Sequence, residues 1–294
     1  MESIIESLKE MNEEDARLYI EMLFNGYKSR KKDNKLYESS KLIPQIIILT
    51  YYTCVKNPKF NNIYDQFKDK YLYKPQKNFK ERYLYNENKL EQVHTKEEQH
   101  GLRLVYDYIQ KIDDFDDINM YTISDIHSIL FSKTPYPEFG GKYRTEERYL
   151  PNTGIDLVSP SLIVHEMNNL REEINDLVRE GIRLGNEVDP PKLLDFIDQC
   201  IELKCKLIKI HPFGDGNGRS IRAFINLLFR LANIPPIYIE NKERQKYANA
   251  MNMALGDGDS SKIKQFYYYK ICDSIISLDI NYNYSIEEEN HKRM

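Results

Sequence analysis

At 294 residues the chain is long enough for one large or two small domains with a sizeable core. Its 42 Lys and Arg stand against 46 Asp and Glu, and the resulting net charge of −4 argues against a bulk binder of nucleic acid or other polyanions. Hydrophobic residues make up 41%, so most of the chain is expected to fold, and no apolar run reaches membrane-spanning length. The cysteines Cys54, Cys200, Cys205 and Cys272 lack metal-ligand spacing; Cys200 and Cys205 share one helical pattern and read as core thiols of a reducing cytoplasm.

Taken in chain order, the pattern is mostly helical. Residues 1–27 are acidic and amphipathic, without the shape of a signal peptide, and carry apolar positions at helical spacing up to Gly26, where a break is expected. "SRKKDNK" (29–35) reads as a solvated loop. "IPQIIILTYYTCV" (43–55) is too short to span a membrane and fits either a buried helix or a strand. Turn-rich joints at 56–80 suggest an N-terminal helical accessory region over 1–78, then a main domain over 79–280 and a tail over 281–294. Helices resume at residue 78. "TPYPEFGGKYRTEERYLPNTGIDLVSP" interrupts them as a long loop holding a short hairpin. Residues 161–185 read as one helix. Asp189 and Pro190–Pro191 start another, with Leu194, Ile197, Ile201 and Ile208 on its apolar face leading to His211. "RSIRAFINLLFRLANIPP" then runs from Arg219 to a stop at Asn233, apolar almost all round and therefore central and buried.

Between these two helices lies "KIHPFGDGNGRSIRAF". Free N–H groups and the positive dipole end of the second helix make its start an anion site. Gly214, Gly216 and Gly218 let backbone amides approach a phosphate without a Cβ in the way. Arg219 and Arg222 share a helical face, and either can clamp a phosphate bidentately. Asp215 is a hard oxygen ligand suited to a phosphate-bridging Mg²⁺. His211 is the nearby group whose pKa suits a base at neutral pH.

His211, Pro212, Phe213, Asp215, Gly216, Asn217, Gly218, Arg219 and Arg222 resemble the Fic-domain motif H-P-F-x-[D/E]-G-N-G-R-x-x-R letter for letter, and the resemblance extends over roughly residues 80–275. It implies a mainly α, Fic-type helical bundle around a buried central helix, with a small β-hairpin flap. The implied activity is transfer of AMP from ATP, with Mg²⁺, to a Ser, Thr or Tyr hydroxyl of a target protein, with removal of the same AMP kept open. His211 would deprotonate the hydroxyl and Asp215 would hold Mg²⁺. Gly216, Asn217 and Gly218 would bind the α-phosphate, Arg219 the outer phosphates and Arg222 the γ-phosphate, while Phe213 anchors the loop.

"GKYRTEERYLPN" resembles the segment leading into the flap, placing Arg148, Tyr149, Leu150 and Pro151 over the site, where an extended target segment would pair with it. Tyr247 matches one aromatic beside the adenine. Ala248 and Leu255 depart from the family pattern there, which leaves room for another nucleotide or phosphate-containing donor. An inhibitory motif, [S/T]-x-x-x-E-[G/N], in relatives pairs its Glu with the second motif arginine. "SIEEEN" (285–290) fits this fully and offers Glu289; "ENKLEQVHT" (87–95) offers Glu91, with Glu87 and Gln92 in place of the usual Ser/Thr and Gly/Asn. Glu91 is the favoured reading, from the context around it. The alternative to an enzyme is a non-catalytic nucleotide-binding module, against which the intact His211, Asp215 and both arginines speak. A second copy in a homo-oligomer stays open, no membrane or nucleic-acid partner is signalled, and a bacterial cytoplasm is the expected location, delivery as an effector being kept open.

Overall fold

The computed structural model describes residues 6–8, 10–32, 42–56, 77–112, 114–150, 153–187 and 189–278. The chain divides into two compact units, Met1–Gln76 with Tyr268–Met294, and Lys77–Tyr267.

The first unit contains α1 (Glu13–Lys32), α2 (Leu42–Lys56) and the latter part of α11 (Ser261–Leu278). The apolar run at 43–55 is a helix. Residues 47–53 are buried all round it, and the Phe24 and Tyr51 ring centroids lie 6.3 Å apart. Tyr27 donates to the Tyr269 carbonyl at 3.2 Å and to Asp273 at 3.0 Å, and the Cys272 thiol donates to the Pro44 carbonyl at 3.3 Å. The break expected at Gly26 does not occur. Nothing lies within 4 Å of where its Cβ would be, so an exposed glycine costs α1 only its propensity, about 1 kcal/mol.

The second unit carries α3 (Lys77–Leu90), α4 (Lys96–Lys111), α5 (Thr122–Phe131), α6 (Ile163–Asn169), α7 (Arg171–Asn186), α8 (Pro190–Ile210), α9 (Asn217–Leu231) and α10 (Arg244–Gly256), followed by the start of α11. At its centre is α9, packed against α4, α5, α7 and α8. Ile221, Phe224, Leu227, Leu228 and Phe229 are fully buried, each contributing about 1.5–3 kcal/mol by leaving water. Glycine makes two of these crossings close enough. A Cβ on Gly101 of α4 would sit 1.9 Å from the Leu130 carbonyl oxygen of α5, and one on Gly185 of α7 would sit 2.2 Å from the Leu231 carbonyl oxygen of α9. Asn233, at φ 55°, ends the α9 segment and donates to the Gly185 carbonyl at 3.0 Å. Cys200 is buried in this core, and burial pushes its thiol pKa well up.

Two expectations are corrected. The helix read over 161–185 is two helices: the chain breaks at Leu170, and α7 restarts with Glu172 and Glu173 in its first turn, where negative charge suits the dipole. The hairpin is not formed, and there is no strand among the described residues. Instead of pairing with each other, the two arms of the loop bond the end of α8: Arg144 N–H donates to the Pro212 carbonyl at 2.9 Å and Val158 N–H to the Lys209 carbonyl at 3.2 Å.

Candidate active site

His211 closes α8 as its C-cap in the left-handed region (φ 50°, ψ 60°), so the chain reverses there rather than one turn later. Gly216, at φ 71°, is the N-cap of α9; a Cβ on it would meet the Phe131 ring at 2.7 Å. Between these two points residues 212–215 form the loop, with α9's free N–H groups at its mouth.

Four side chains hold this loop. Asn217 accepts from the Phe213 N–H at 2.9 Å and donates to the Phe213 carbonyl at 2.7 Å. Phe213 is fully buried and stacks on His127 of α5, centroids 3.9 Å apart and planes within 13°. His127 accepts from the Gly141 N–H through Nδ1 at 2.8 Å, which places its proton on Nε2, 2.9 Å from the Asp215 carbonyl. Burial pushes the His127 pKa down to about 4, with Arg219 acting in the same direction against the Asp215 carbonyl and carboxylate. Arg144, with its side chain 1% exposed, donates to the backbone carbonyls of His211 (2.7 Å), Glu146 (2.8 Å), Val158 and Ile210 (3.3 Å). Sequence reasoning missed His127 and Arg144 in these roles. A histidine inside the apolar "IHSILF" and an arginine inside the flap segment were the available signals.

The predicted phosphate residues converge at the start of α9. Asp215 accepts from the Gly216 N–H at 2.6 Å and stays exposed. Arg219 is 2% exposed; Nη2 pairs with Glu98 of α4 at 2.8 Å, while its buried Nε and Nη1 have no hydrogen-bond partner in the protein. Such orphaned donors beside a glycine loop fit phosphate oxygens. A lone carboxylate, Asp215, fits a Mg²⁺ that takes its remaining ligands from phosphates and water, and no cluster of three or more metal-ligating side chains occurs among the described residues. Burial lowers the His211 pKa, Arg144 adding to it while the Ile208 carbonyl, Glu91 and Asp215 oppose, so the imidazole is neutral at pH 7.

Arg222 carries two carboxylates. Its Nε donates to Glu87 at 2.7 Å and its Nη2 lies 2.7 Å from Glu91. Burial alone would weaken its protonation, but Glu87 and Glu91 outweigh this and hold it charged. Burial also raises the Glu87 pKa, only partly offset by Arg222. For Glu91 the same penalty is outweighed by Arg222, Arg219 and Arg244, and its pKa is lowered. Glu91 therefore sits on the second motif arginine, whereas Glu289 and Pro151 lie outside the described residues. Glu87, read from the sequence only as a departure from Ser/Thr, is fully buried in this cluster.

The flap residues are partly brought to the loop. Arg148 pairs with Glu146 at 3.5 Å and its Nη2 lies 3.8 Å from where a Gly214 Cβ would be; Tyr149 is 79% exposed and Leu150 half-buried. The ring of Tyr247 on α10 faces the ammonium of Lys204, 4.8 Å from its centroid. Leu255 is buried in the core and Ala248 is half-buried.

Residues 117–229 match the model of the Fic/DOC family. The chain is similar to protein adenylyltransferase fic-1 of Caenorhabditis elegans, 26% identical over 143 residues covering 48% of this chain and 25% of that protein. It is also similar to protein adenylyltransferase Fic of Aedes aegypti, 41% identical over 61 residues covering 21% of this chain and 12% of that protein. The chain thus spans a quarter or less of the length of these curated relatives. A Fic-domain-containing signalling protein from Bacteroides thetaiotaomicron has the same fold, with a TM-score of 0.58 at 17% identity over 74% of this chain and 95% of that one. The match to the Fic/DOC family model begins just before α5, with its His127, and ends on the buried helix that carries Arg219 and Arg222, and a solved Fic-domain protein shares the fold.

Proposed function

We propose that this protein is a protein adenylyltransferase, with its nucleotide site held shut by Glu91. The observation that carries this reading is the Arg222–Glu91 contact of 2.7 Å beside the glycine loop. A Cβ on Gly218 would lie 2.2 Å from the Glu91 carboxylate, so that carboxylate stands where an outer phosphate would enter.

In the open form, Gly216 and Gly218 amides at the start of α9 take the α-phosphate, the free Nε and Nη1 of Arg219 take outer phosphate oxygens, and Arg222 takes the γ-phosphate released from Glu91. Asn217 contributes by closing the loop, since both ends of its amide are engaged by Phe213. Asp215 would hold Mg²⁺, which supplies charge neutralisation between phosphates. Neutral His211 removes the proton of a target Ser, Thr or Tyr hydroxyl, the oxygen attacks the α-phosphorus, and the bond to pyrophosphate breaks. Positioning and charge stabilisation are most of what such a displacement needs. The half-buried Tyr247 with its cationic neighbour, together with Ala248 and Leu255, favours testing bases other than adenine in the same assay.

The test is self-labelling with α-labelled ATP and Mg²⁺, using GTP, CTP and UTP as competitors. The wild-type chain labels weakly, Glu91→Gly labels strongly, and His211→Ala in the Glu91→Gly background does not label while still binding nucleotide. No labelling by Glu91→Gly despite ATP binding would sink the reading.

A further inference from the structure

The two carboxylates on Arg222 are not equivalent. Glu87 lies within α3, one turn before Glu91, and is fully buried; Glu91 follows the end of α3, with its side chain 33% exposed and Gln92 after it at φ 57°. The two contacts have the same length, 2.7 Å, but differ in kind. The Glu87 contact is a directed hydrogen bond from Nε. The Glu91 contact lies off the N–H direction, and Nη2 makes no hydrogen bond.

They also take different sides of the guanidinium. A Cβ on Gly218 would lie 2.9 Å from Arg222 Nη1, so the Nη edge faces the glycine loop, where Glu91 stands. The Nε side meets the fully buried Glu87, beside a crevice too tight for a water and lined in part by Ile225, Asn226, Ile237 and Tyr267. A carboxylate there has no route to water short of opening the core, whereas Glu91 can leave by a turn of exposed backbone.

We infer that Glu87 is the permanent anchor of Arg222, a positioning residue that aims the Nη edge at the terminal phosphate, and that Glu91 is only the exchangeable occupant of that edge. The inference rests on the reading above, in which Arg222 receives that phosphate. An unanchored arginine spreads over several rotamers and must be ordered on binding; one held through Nε presents a fixed two-donor edge. Exchange of Glu91 for a phosphate then needs no movement of Arg222.

The alternative is that Glu87 is a second brake, neutralising Arg222 and weakening phosphate binding through its charge. The ratio of ATP to ADP affinity separates the two, because only the terminal phosphate reads the Nη edge. The full-length chain with Glu91→Gly is expected to bind MgATP at least about tenfold tighter than MgADP, the worth of one charge-assisted pair. Adding Glu87→Asp keeps the charge but withdraws the acceptor by one methylene. The anchor predicts that the preference collapses towards one with ADP affinity unchanged, and that Glu87→Gln, which keeps an acceptor of full length without charge, retains most of it. Calorimetric Kd values for ATP and ADP on the variants, each checked for an intact thermal transition, give the answer. An ATP preference kept in Glu87→Asp, or increased in Glu87→Gln, would overturn the anchor. Absence of any preference in Glu91→Gly alone would overturn the assignment of Arg222 to the terminal phosphate, and the anchor with it.

Discussion

His127 is buried and His211 half-buried, and both stay neutral at pH 7, yet their places in the site differ. His211 sits at the end of α8, where its imidazole is the base of the proposed reaction. Its pKa is lowered chiefly by burial, so the acid limb of kcat/KM for the Glu91→Gly variant is expected below the ordinary imidazole value of 6.5; a limb at or above it would remove His211 as the base. His127 has both nitrogens committed, and protonation at Nδ1 would set a proton against the Gly141 N–H. Its pKa is about 4 in the folded chain and 6.5 in the unfolded one. Between these values the unfolded chain binds more protons, so stability rises with pH: this contribution is full above about pH 6.5 and lost as pH falls towards 4. It amounts to on the order of 3 kcal/mol. Denaturant titrations from pH 7 to 4.5 are expected to show a falling stability whose slope is reduced in His127→Asn; equal slopes would remove His127 as its source. Arg219→Ala takes away the two unpaired donors and leaves the half-buried Glu98 without its cation, so loss of nucleotide binding is expected together with about 1–3 kcal/mol of stability, measured by calorimetry and urea unfolding.

Elements place these residues. The loop is aimed by α5, α8 and α9, and the separation of α4 from α5 depends on one missing methyl. Gly101→Ala would drive a Cβ into the Leu130 carbonyl, where the obstacle is backbone and cannot rotate away. A loss of about 2–4 kcal/mol is expected in urea unfolding, whereas Gly26→Ala, with open space around it, is expected to be neutral or slightly stabilising. Arg144 belongs to this scale too, since its guanidinium ties the flap segment to the end of α8. Arg144→Lys keeps the charge but cannot span four carbonyls. It is expected to lower labelling by Glu91→Gly about tenfold or more, with protease cleavage rising in 143–158; unchanged cleavage would show the loop is held by other means.

At the scale of the whole molecule, the unit Lys77–Tyr267 contains every described residue of the proposed site. A fragment of residues 77–278, which keeps α11 whole, is expected to unfold cooperatively and to bind nucleotide once Glu91 is replaced; an uncooperative melt would show that the rest of the chain completes its core. Much of this unit was legible beforehand. The proline start of α8, the apolar circumference of α9 and the glycine loop between them are local signals, set by backbone sterics and periodicity within some thirty residues. They sufficed for the helical class and the buried central helix, and they single out His211, Asp215, Arg219 and Arg222 as candidates. What stayed hidden depends on partners far away in sequence. That the 143–158 segment bonds α8 rather than itself follows from which groups lie within reach in space. Glu87 is a helix residue like its neighbours until α9 brings Arg222 against it, 135 positions later. Burial then turns an ordinary helix side chain into a partner that cannot leave. The sequence by itself determined the chemistry of the loop, because helix ends and glycines act locally; only the tertiary structure decided which carboxylates meet Arg222 and on which side, because that depends on how distant helices pack.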